Sequence, residues 1–166
     1  DFKLTQEELN LIDNVSSIFH AQGKKVIVVL NNGGAIEVTS WKDKVDAILM
    51  AWLPGQEAGN SVADILSGKE NPSGKLSMTF PVRYEDVSSA DKPTEVMYKE
   101  GVYVGYRYFN TFNVKPAYEF GYGLSYTTFE YSDMRISDKV FNNELYVSFN
   151  VKNTGKVAGK EIVQLY

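Results

Sequence analysis

The chain has 166 residues, of which 43% are hydrophobic and 23% charged, so it can bury the core of an ordinary domain and is not expected to be disordered. Its formal net charge of -4 offers no basic field for nucleic acid, and no apolar run approaches the roughly 18 residues of a membrane span. The absence of cysteine excludes disulfides, thiol nucleophiles and cysteine zinc sites.

The chain begins with the pattern of an amphipathic helix. Thr5 and Glu8 have the spacing of a capping box, and apolar residues then recur at helical spacing on one face as far as Phe19. Gly23 is predicted to end this helix. His20, the only histidine, falls in the last turn and has no second histidine with which to form a metal site or a triad. We interpret it as a surface residue.

Two apolar runs then predict parallel strands. Residues 25–30 and 47–52 are suited to strands buried on both faces, and the segment between them is long enough for a crossover. Residues 31–34, Asn-Asn-Gly-Gly, follow the first strand directly, where α/β proteins place ligand-contacting loops. No GxGxxG is present, which argues against a dinucleotide site.

The middle of the chain continues this layer. A turn at residues 53–55 leads into a helix over residues 56–66, and Glu57 lies at its amino end, where a negative side chain is favoured for structural reasons. Residues 68–75 do not have the spacing of a phosphate loop. Leu76, Met78 and Phe80 alternate as a short strand that Pro81 ends, and residues 82–94 are predicted to be a surface loop.

The last part of the chain is aromatic and then β in character. Residues 97–109 and 116–127 are dense in Tyr and Phe, which suits a core, an interface or a sugar-stacking surface. From Phe129 onward, alternating apolar residues with turns near residues 142–143 and 153–155 predict antiparallel strands, the last of them over residues 161–166.

Four segments resemble a known family. AWLPGQEAGNSVADILSGKENPSGKLSMTFP (residues 51–81), YKEGVYVGYRYF (98–109) and FGYGLSYTTF (120–129) are similar to the signatures of glycoside hydrolase family 3, the β-glucosidase and β-xylosidase family. VKNTGKVAGKEIVQLY (151–166) resembles the opening of that family's fibronectin type III-like domain. The resemblance covers essentially the whole chain in order.

The resemblance implies a fold class and a domain division. Family members have a (β/α)8 barrel, an α/β sandwich and a fibronectin type III-like domain. Residues 1–124 therefore correspond to part of the α/β sandwich, a layered domain with a mainly parallel sheet. Residues 125–166 correspond to the first strands of the antiparallel fibronectin type III-like β-sandwich. No barrel is expected in this chain.

The resemblance also implies a reaction. Family members are retaining, exo-acting glycosidases, and a retaining enzyme needs a nucleophilic carboxylate and an acid/base carboxylate about 5–5.5 Å apart. The family's nucleophile is on the barrel, and its acid/base motif precedes the segment that matches residues 5–18. We therefore expect no catalytic residue in this chain, no activity of the chain alone, and no cofactor or metal.

Within the chain, one segment is the best candidate for a contact with substrate or with the barrel. Glu100 is the only carboxylate with a case for acid/base work, because its aromatic neighbours would desolvate it and raise its pKa. Tyr103, Arg107 and Tyr108 lie in the same segment, and Arg107 can pair with Glu100 or with a barrel carboxylate. We predict a substrate-rim or interdomain role for these four residues.

Two further expectations complete the hypothesis. The partners implied are a β-linked glycoside, with a glucoside as the first choice, and the missing barrel; nucleic acid and membrane are not expected. An incomplete β-sandwich exposes strand edges, so self-association is a second possibility. The alternative function is a non-catalytic carbohydrate-binding or interaction module that uses the aromatic residues as a stacking platform.

Overall fold

The computed structural model describes residues 2–87 and 100–165, and it divides into two compact units. The first, here called the α/β unit, comprises Asp1–Ala63 and Leu76–Tyr122; the second, the antiparallel unit, comprises Asp64–Lys75 and Gly123–Tyr166. The domain division predicted from the sequence, between residues 124 and 125, stays a prediction. Part of the predicted surface loop and the start of the first aromatic segment lie outside the described residues.

Helix α1 runs over Gln6–His20 and begins as predicted. The Glu8 N–H donates to Thr5 Oγ1, and the Thr5 N–H donates back to the Glu8 carboxylate, which completes the capping box. The apolar face is less buried than its periodicity predicts, because only Ile12 and Ser16 are buried while Leu11 and Ile18 are exposed. Within the described residues, nothing covers the outer half of that face.

The two predicted strands form a parallel pair. Strand β1 is Ile27–Leu30 and strand β2 is Ala47–Met50, with Ile27 opposite Ala47. The prediction that both faces are buried is wrong for β1, since Leu30 is buried but Ile27 and Val29 are largely exposed. A two-stranded sheet in this chain has its core on one side only.

The core of the α/β unit lies beside this pair. Val38 and Trp41 have almost no exposed surface, and Ile12, Leu30, Ile36 and Phe80 pack with them. The Trp41 indole N–H donates to the Glu37 carbonyl at 2.9 Å. The only hydrogen-bond donor of this large core side chain is therefore paired. The crossover between β1 and β2 is therefore the best packed part of the described chain, although its only helix is the short 3-10 turn Lys42–Lys44.

The helix predicted after β2 is present, whereas the short strand predicted after that helix is not. A 3-10 turn at Gly55–Glu57 leads directly into helix α2, Ala58–Leu66. Residues 76–80 form no regular strand; they pair with residues 117–122 through an isolated bridge at Phe80 and Tyr118 and through a hydrogen bond from the Leu76 N–H to the Tyr122 carbonyl. The α/β unit ends its described elements with helix α3, Tyr106–Thr111.

The antiparallel unit contains one strand pair. Strand β3, Phe129–Ile136, pairs with β4, Val147–Asn153, and the register shifts between Ser132 and Arg135, where Asp133 has a positive φ. Such a bulge bends and twists the strand. The strand predicted over residues 161–166 is wrong for the described residues 161–165, which have no strand structure.

Side-chain contacts, rather than a further strand, hold the end of the antiparallel unit. Lys75 Nζ lies 3.2 Å from Glu161 Oε1 and donates to the Gly123 carbonyl at 2.7 Å, and both charged side chains are mostly buried. Partial burial, and after it a hydrogen bond with Glu161, raises the pKa of Tyr131. The predicted fold class is confirmed: a parallel α/β layer is followed along the chain by antiparallel strands.

Candidate functional site

Ligands of open α/β sheets bind at the carboxyl ends of the strands, so the loops after β1 and β2 are the first place to look for a site. Asn32 Nδ2 donates to the Gly34 carbonyl at 2.5 Å, whereas Asn32 Oδ1 is buried without a hydrogen-bond partner among the described residues. After β2, Trp52 has φ 55°, which is a genuine outlier for so large a side chain. Strain of this kind concentrates at functional sites.

Glu57 occupies the position that the sequence predicted. It is exposed, ends the 3-10 turn that precedes α2, and accepts a hydrogen bond from Asn60 Nδ2 at 2.6 Å. A carboxylate at this position interacts favourably with the amino end of the helix. The contacts of Glu57 therefore give it a structural role.

Glu100 is partly buried, and its environment is unusual. Its carbonyl accepts from the Tyr103 N–H at 3.0 Å, while its Oε2 atom is buried without a hydrogen-bond partner among the described residues. A buried carboxylate oxygen that lacks a partner is costly, and a group from another part of the protein or a ligand would offset that cost. No ion pair within the described part of the chain joins Glu100 to Arg107.

Of the three other candidate residues in this segment, Tyr103 and Tyr108 contact the same ring, whereas Arg107 does not lie with them. Tyr103 and Tyr108 both pack against the Phe112 ring, each with a centroid distance of 5.2 Å. Arg107 is exposed, and its guanidinium carbon lies 6.0 Å from the centroid of the Tyr106 ring. The structure thus gathers the two tyrosines around Phe112 and leaves Arg107 on the exposed side of α3.

The same segment presents consecutive apolar side chains to solvent. Val102, Tyr103 and Val104 are all exposed, and the flanking Gly101 and Gly105 have φ values of 57° and 59° that glycine adopts without strain. Three consecutive exposed apolar residues are unusual unless another surface covers them. This exposed run belongs to the part of the segment that the sequence predicted to contact the barrel.

His20 belongs to a charged cluster that sequence reasoning missed. His20 Nε2 lies 2.8 Å from Asp46 Oδ2, and Asp46 also accepts from Lys25 Nζ and from the Val26 N–H. The hydrogen bonds from Lys25 and Val26, and then the one with His20, hold the pKa of Asp46 well below its usual value. The cluster ties the end of α1 to the starts of β1 and β2, which is a structural role.

A groove in the α/β unit is the second feature that the sequence did not reveal. It has a volume of about 890 Å³, and the residues lining it include Phe2, Met78, Thr79 and Tyr84. Thr79 lies between Met78 and Phe80 in the segment that the sequence predicted to be a short strand, and no residue pattern marked it as part of a groove. Tyr84 falls in a segment that the sequence predicted to be a plain surface loop, and it lies in the short 3-10 turn Tyr84–Asp86.

Within residues 2–87 and 100–165, no three His, Asp or Glu side chains lie together in a way that could hold a metal ion. In the same ranges, no helix has both the length and the apolar character that crossing a membrane requires.

Comparison with known proteins relates these features to a family. A model described as the glycosyl hydrolase family 3 C-terminal domain matches residues 1–126. The chain is 46% identical over 169 residues to the thermostable beta-glucosidase B of Acetivibrio thermocellus, covering 98% of this chain and 22% of that protein. It spans about a fifth of the length of the curated relatives it matches.

Solved structures agree with the sequence relatives. The structure of beta-glucosidase 3B from Thermotoga neapolitana in complex with glycerol matches with a TM-score of 0.88 and 56% identity, covering 96% of this chain and 23% of that one. A GH3 beta-glucosidase from Bifidobacterium adolescentis matches with a TM-score of 0.83 and 37% identity, covering 94% and 23% respectively. Because the family model matches most of its residues, the chain belongs to the glycosyl hydrolase family 3 C-terminal domain family.

Proposed function

We propose that this chain is part of a retaining, exo-acting β-glucosidase that removes terminal β-linked glucose from glycosides or oligosaccharides. The observation that carries the proposal is the identity of 46% and 56% to proteins named β-glucosidases, along nearly the whole of this chain. One of the matching Thermotoga neapolitana structures is a complex with glucose, which supports glucose as the terminal sugar.

The chain's own contribution is a wall of the active site and a scaffold, not the reacting groups. Retaining hydrolysis needs a nucleophile and an acid/base, and the family resemblance assigns both to segments other than residues 1–166. Acid/base assistance alone supplies about 10²–10⁴-fold. The 166-residue chain is therefore inactive by itself, and its domain division at residues 124 and 125 follows the family layout.

The experiment is hydrolysis of β-glucosyl fluoride and of a β-1,4-linked glucose disaccharide by the 166-residue chain and by the full-length protein. The expected result is turnover by the full-length protein and a rate no different from buffer for the chain. Turnover by the chain alone would mean that it holds its own pair of carboxylates. Absence of turnover in both would contradict the β-glucosidase assignment.

Glu100, Tyr103, Arg107 and Tyr108 are proposed to form a rim that contacts the barrel or the substrate. The support is the buried Oε2 of Glu100, which has no hydrogen-bond partner among residues 2–87 and 100–165, together with the exposed apolar residues next to it. In the full-length protein, Glu100→Gln is expected to lower kcat/KM less than about tenfold and to leave the shape of its pH profile unchanged, because the acid/base lies elsewhere. A loss of about 10³-fold with a vanished pH limb would instead identify Glu100 as the acid/base.

Self-association through β3 and β4 is also a proposal. Its support is that all of β3 after Phe129 is exposed, including the largely apolar side chains of Tyr131, Met134 and Ile136. Sedimentation of the 166-residue chain between low and high micromolar concentrations is expected to show a dimer or larger species. A monomer over the whole range would exclude self-association.

A further inference from the structure

The loop that follows β1 contains the only Asn-Gly dipeptide of the sequence, Asn32-Gly33. Asparagine is a chemically labile residue, because the backbone nitrogen of the residue after it can attack its side-chain amide carbon. Glycine at that next position favours the attack, since it has no Cβ to obstruct the approach and adopts many backbone conformations. Whether the attack takes place depends on how the fold holds the nitrogen and the side chain.

The fold leaves the backbone nitrogen of Gly33 available for this attack. Gly33 is exposed to water and lies in a bend outside the helices and strands. Among residues 2–87 and 100–165, no acceptor takes a hydrogen bond from the Gly33 N–H. The nitrogen therefore gives up no hydrogen bond within the described protein when it loses its proton and bonds to carbon.

The side chain of Asn32 lies along the same stretch of backbone. Its Nδ2 atom donates to the Gly34 carbonyl at 2.5 Å, a contact that folds the side chain back over the intervening Gly33 peptide. Its Oδ1 atom is buried and has no hydrogen-bond partner among the described residues, so no described donor ties the amide from that side. The contact with Gly34 thus keeps the amide beside the Gly33 nitrogen.

We propose that Asn32 is a site of spontaneous deamidation. The Gly33 nitrogen loses its proton to a base from water and bonds to Asn32 Cγ; the Cγ–Nδ2 bond breaks, and ammonia leaves with a proton from water. Water then adds to either carbonyl carbon of the resulting cyclic imide. The bond from that carbon to the Gly33 nitrogen breaks, and the nitrogen recovers a proton. Residue 32 becomes aspartate or isoaspartate, and the reaction needs water alone.

The product suits the loop less well than asparagine does. The position of Nδ2 is taken by a carboxylate oxygen that faces the Gly34 carbonyl oxygen, so an attractive contact becomes a repulsive one. The other carboxylate oxygen takes the buried position of Oδ1, where no described group donates a hydrogen bond. Deamidation therefore adds a negative charge and destabilises the loop at the carboxyl end of β1.

The test follows residue 32 by mass spectrometry while the folded full-length protein is incubated in mildly alkaline buffer. Gly33→Ala tests the attacking nitrogen and is expected to slow deamidation at least about tenfold, because a Cβ obstructs the approach. Alanine fits at this position, since the φ of Gly33 is not positive and an added Cβ would meet Leu53 Cδ1 at 3.5 Å, an ordinary contact. The product is expected to contain isoaspartate, which direct hydrolysis of the amide does not form.

Gly34→Ala is the matched control, because the φ of Gly34 is not positive either and a Cβ there would meet no atom within 4 Å. It is expected to leave the rate at residue 32 within about twofold of the unmodified value, since residue 34 does not supply the nitrogen. Equal slowing by both glycine variants, or a product without isoaspartate, would overturn the proposal.

Asn60 is an internal reference in the same digest. It lies in helix α2, where its Nδ2 donates to Glu57 Oε2 at 2.6 Å, and the helix holds the next backbone nitrogen away from the side chain. Asn32 is expected to deamidate at least about tenfold faster than Asn60. Equal rates at the two residues would overturn the proposal, and none of these outcomes depends on the proposed β-glucosidase function.

Discussion

The two units of the chain are stabilised in different ways. In the α/β unit, Val38 and Trp41 are completely enclosed and four more apolar residues pack with them. In the antiparallel unit, β3 and β4 are largely exposed on both faces, and the best enclosed charged groups are Lys75 and Glu161. The first unit depends on apolar burial, whereas the second depends on specific polar contacts.

This difference matters because the two kinds of contact tolerate change differently. Apolar burial is non-directional and roughly proportional to the area removed from water. A buried ion pair depends on its geometry, and removing one partner leaves an uncompensated charge. The stability lost through a substitution in the α/β unit should therefore increase with the side-chain volume removed. In the antiparallel unit it should increase with the number of polar groups left unpaired.

Trp41→Ala should have the largest effect. It empties the centre of the α/β core and is expected to lower the free energy of unfolding by about 3–5 kcal/mol. Urea unfolding followed by the fluorescence of the remaining Trp52 measures the loss. Leu53→Ala, at a residue that is 73% exposed, is the control and should cost no more than about 0.5 kcal/mol. Similar losses for the two variants would mean that the core is not where the structure places it.

Lys75→Met tests the polar side of the comparison. It leaves Glu161 buried without its partner, and we expect a loss of about 3 kcal/mol, measured by hydrogen exchange of the β3 and β4 amides. Lys69→Met breaks the 3.0 Å pair with Asp64 in the same unit, where Lys69 is 70% exposed, and should cost less than about 1 kcal/mol.

The double variant Lys75→Met with Glu161→Leu sharpens this result. Because both charges are gone, it is expected to recover most of the loss. No recovery would mean that the packing of the two stems, and not the charge left unpaired, stabilises the unit.

Asn71 gives a smaller effect of the same kind. Its Oδ1 accepts from Ser125 Oγ and from the Tyr126 N–H, and its Nδ2 donates to the Ala158 carbonyl. Asn71→Ala removes all three hydrogen bonds and is expected to cost about 2 kcal/mol by the same exchange measurement. Asn71→Asp keeps both acceptor contacts but sets a carboxylate oxygen against the Ala158 carbonyl oxygen, so it should cost as much as Asn71→Ala or more. A clearly smaller loss for Asn71→Asp would place the stabilisation in the two acceptor contacts.

The smallest effect concerns the charged cluster of the α/β unit. In the folded state the pKa of Asp46 is held below its usual value of 3.8. The stabilisation that the ionised Asp46 contributes is therefore present above about pH 4 and is lost as the pH falls further. The melting temperature should therefore decline below pH 4, and Asp46→Asn should flatten that decline while lowering stability at neutral pH. An Asp46→Asn profile parallel to the unmodified one would exclude this cluster as the cause.

Local patterns predicted much of the fold because their physical causes are local. The Thr5 and Glu8 capping box lies within one helical turn, and the turn before α2 depends on neighbouring residues. The exposure of Leu11 and Ile18 could not be predicted in this way. Whether an apolar helix face is covered depends on segments that are distant in sequence.

The candidate functional residues also include some that the sequence predicted and some that it did not. Residues 100–108 stood out in the sequence because aromatic residues, an acid and an arginine are concentrated there. The groove did not, because Phe2, Thr79 and Tyr84 come from three separated segments that only folding brings together. The positive φ of Trp52 likewise could not be predicted, because Trp52 is simply the last residue of an apolar run in the sequence.

By itself the sequence determined the helix start, the parallel and antiparallel character of the strands and, through its motifs, the family. These follow from short-range capping, from apolar periodicity and from motif similarity. Only the tertiary structure decided which apolar faces are covered and that Lys75 meets Glu161. It also decided that two aromatic rings line one groove with a hydroxyl that has no partner among the described residues. The physical reason is that burial and polar pairing are properties of residues brought together by the fold, often from far apart in the chain.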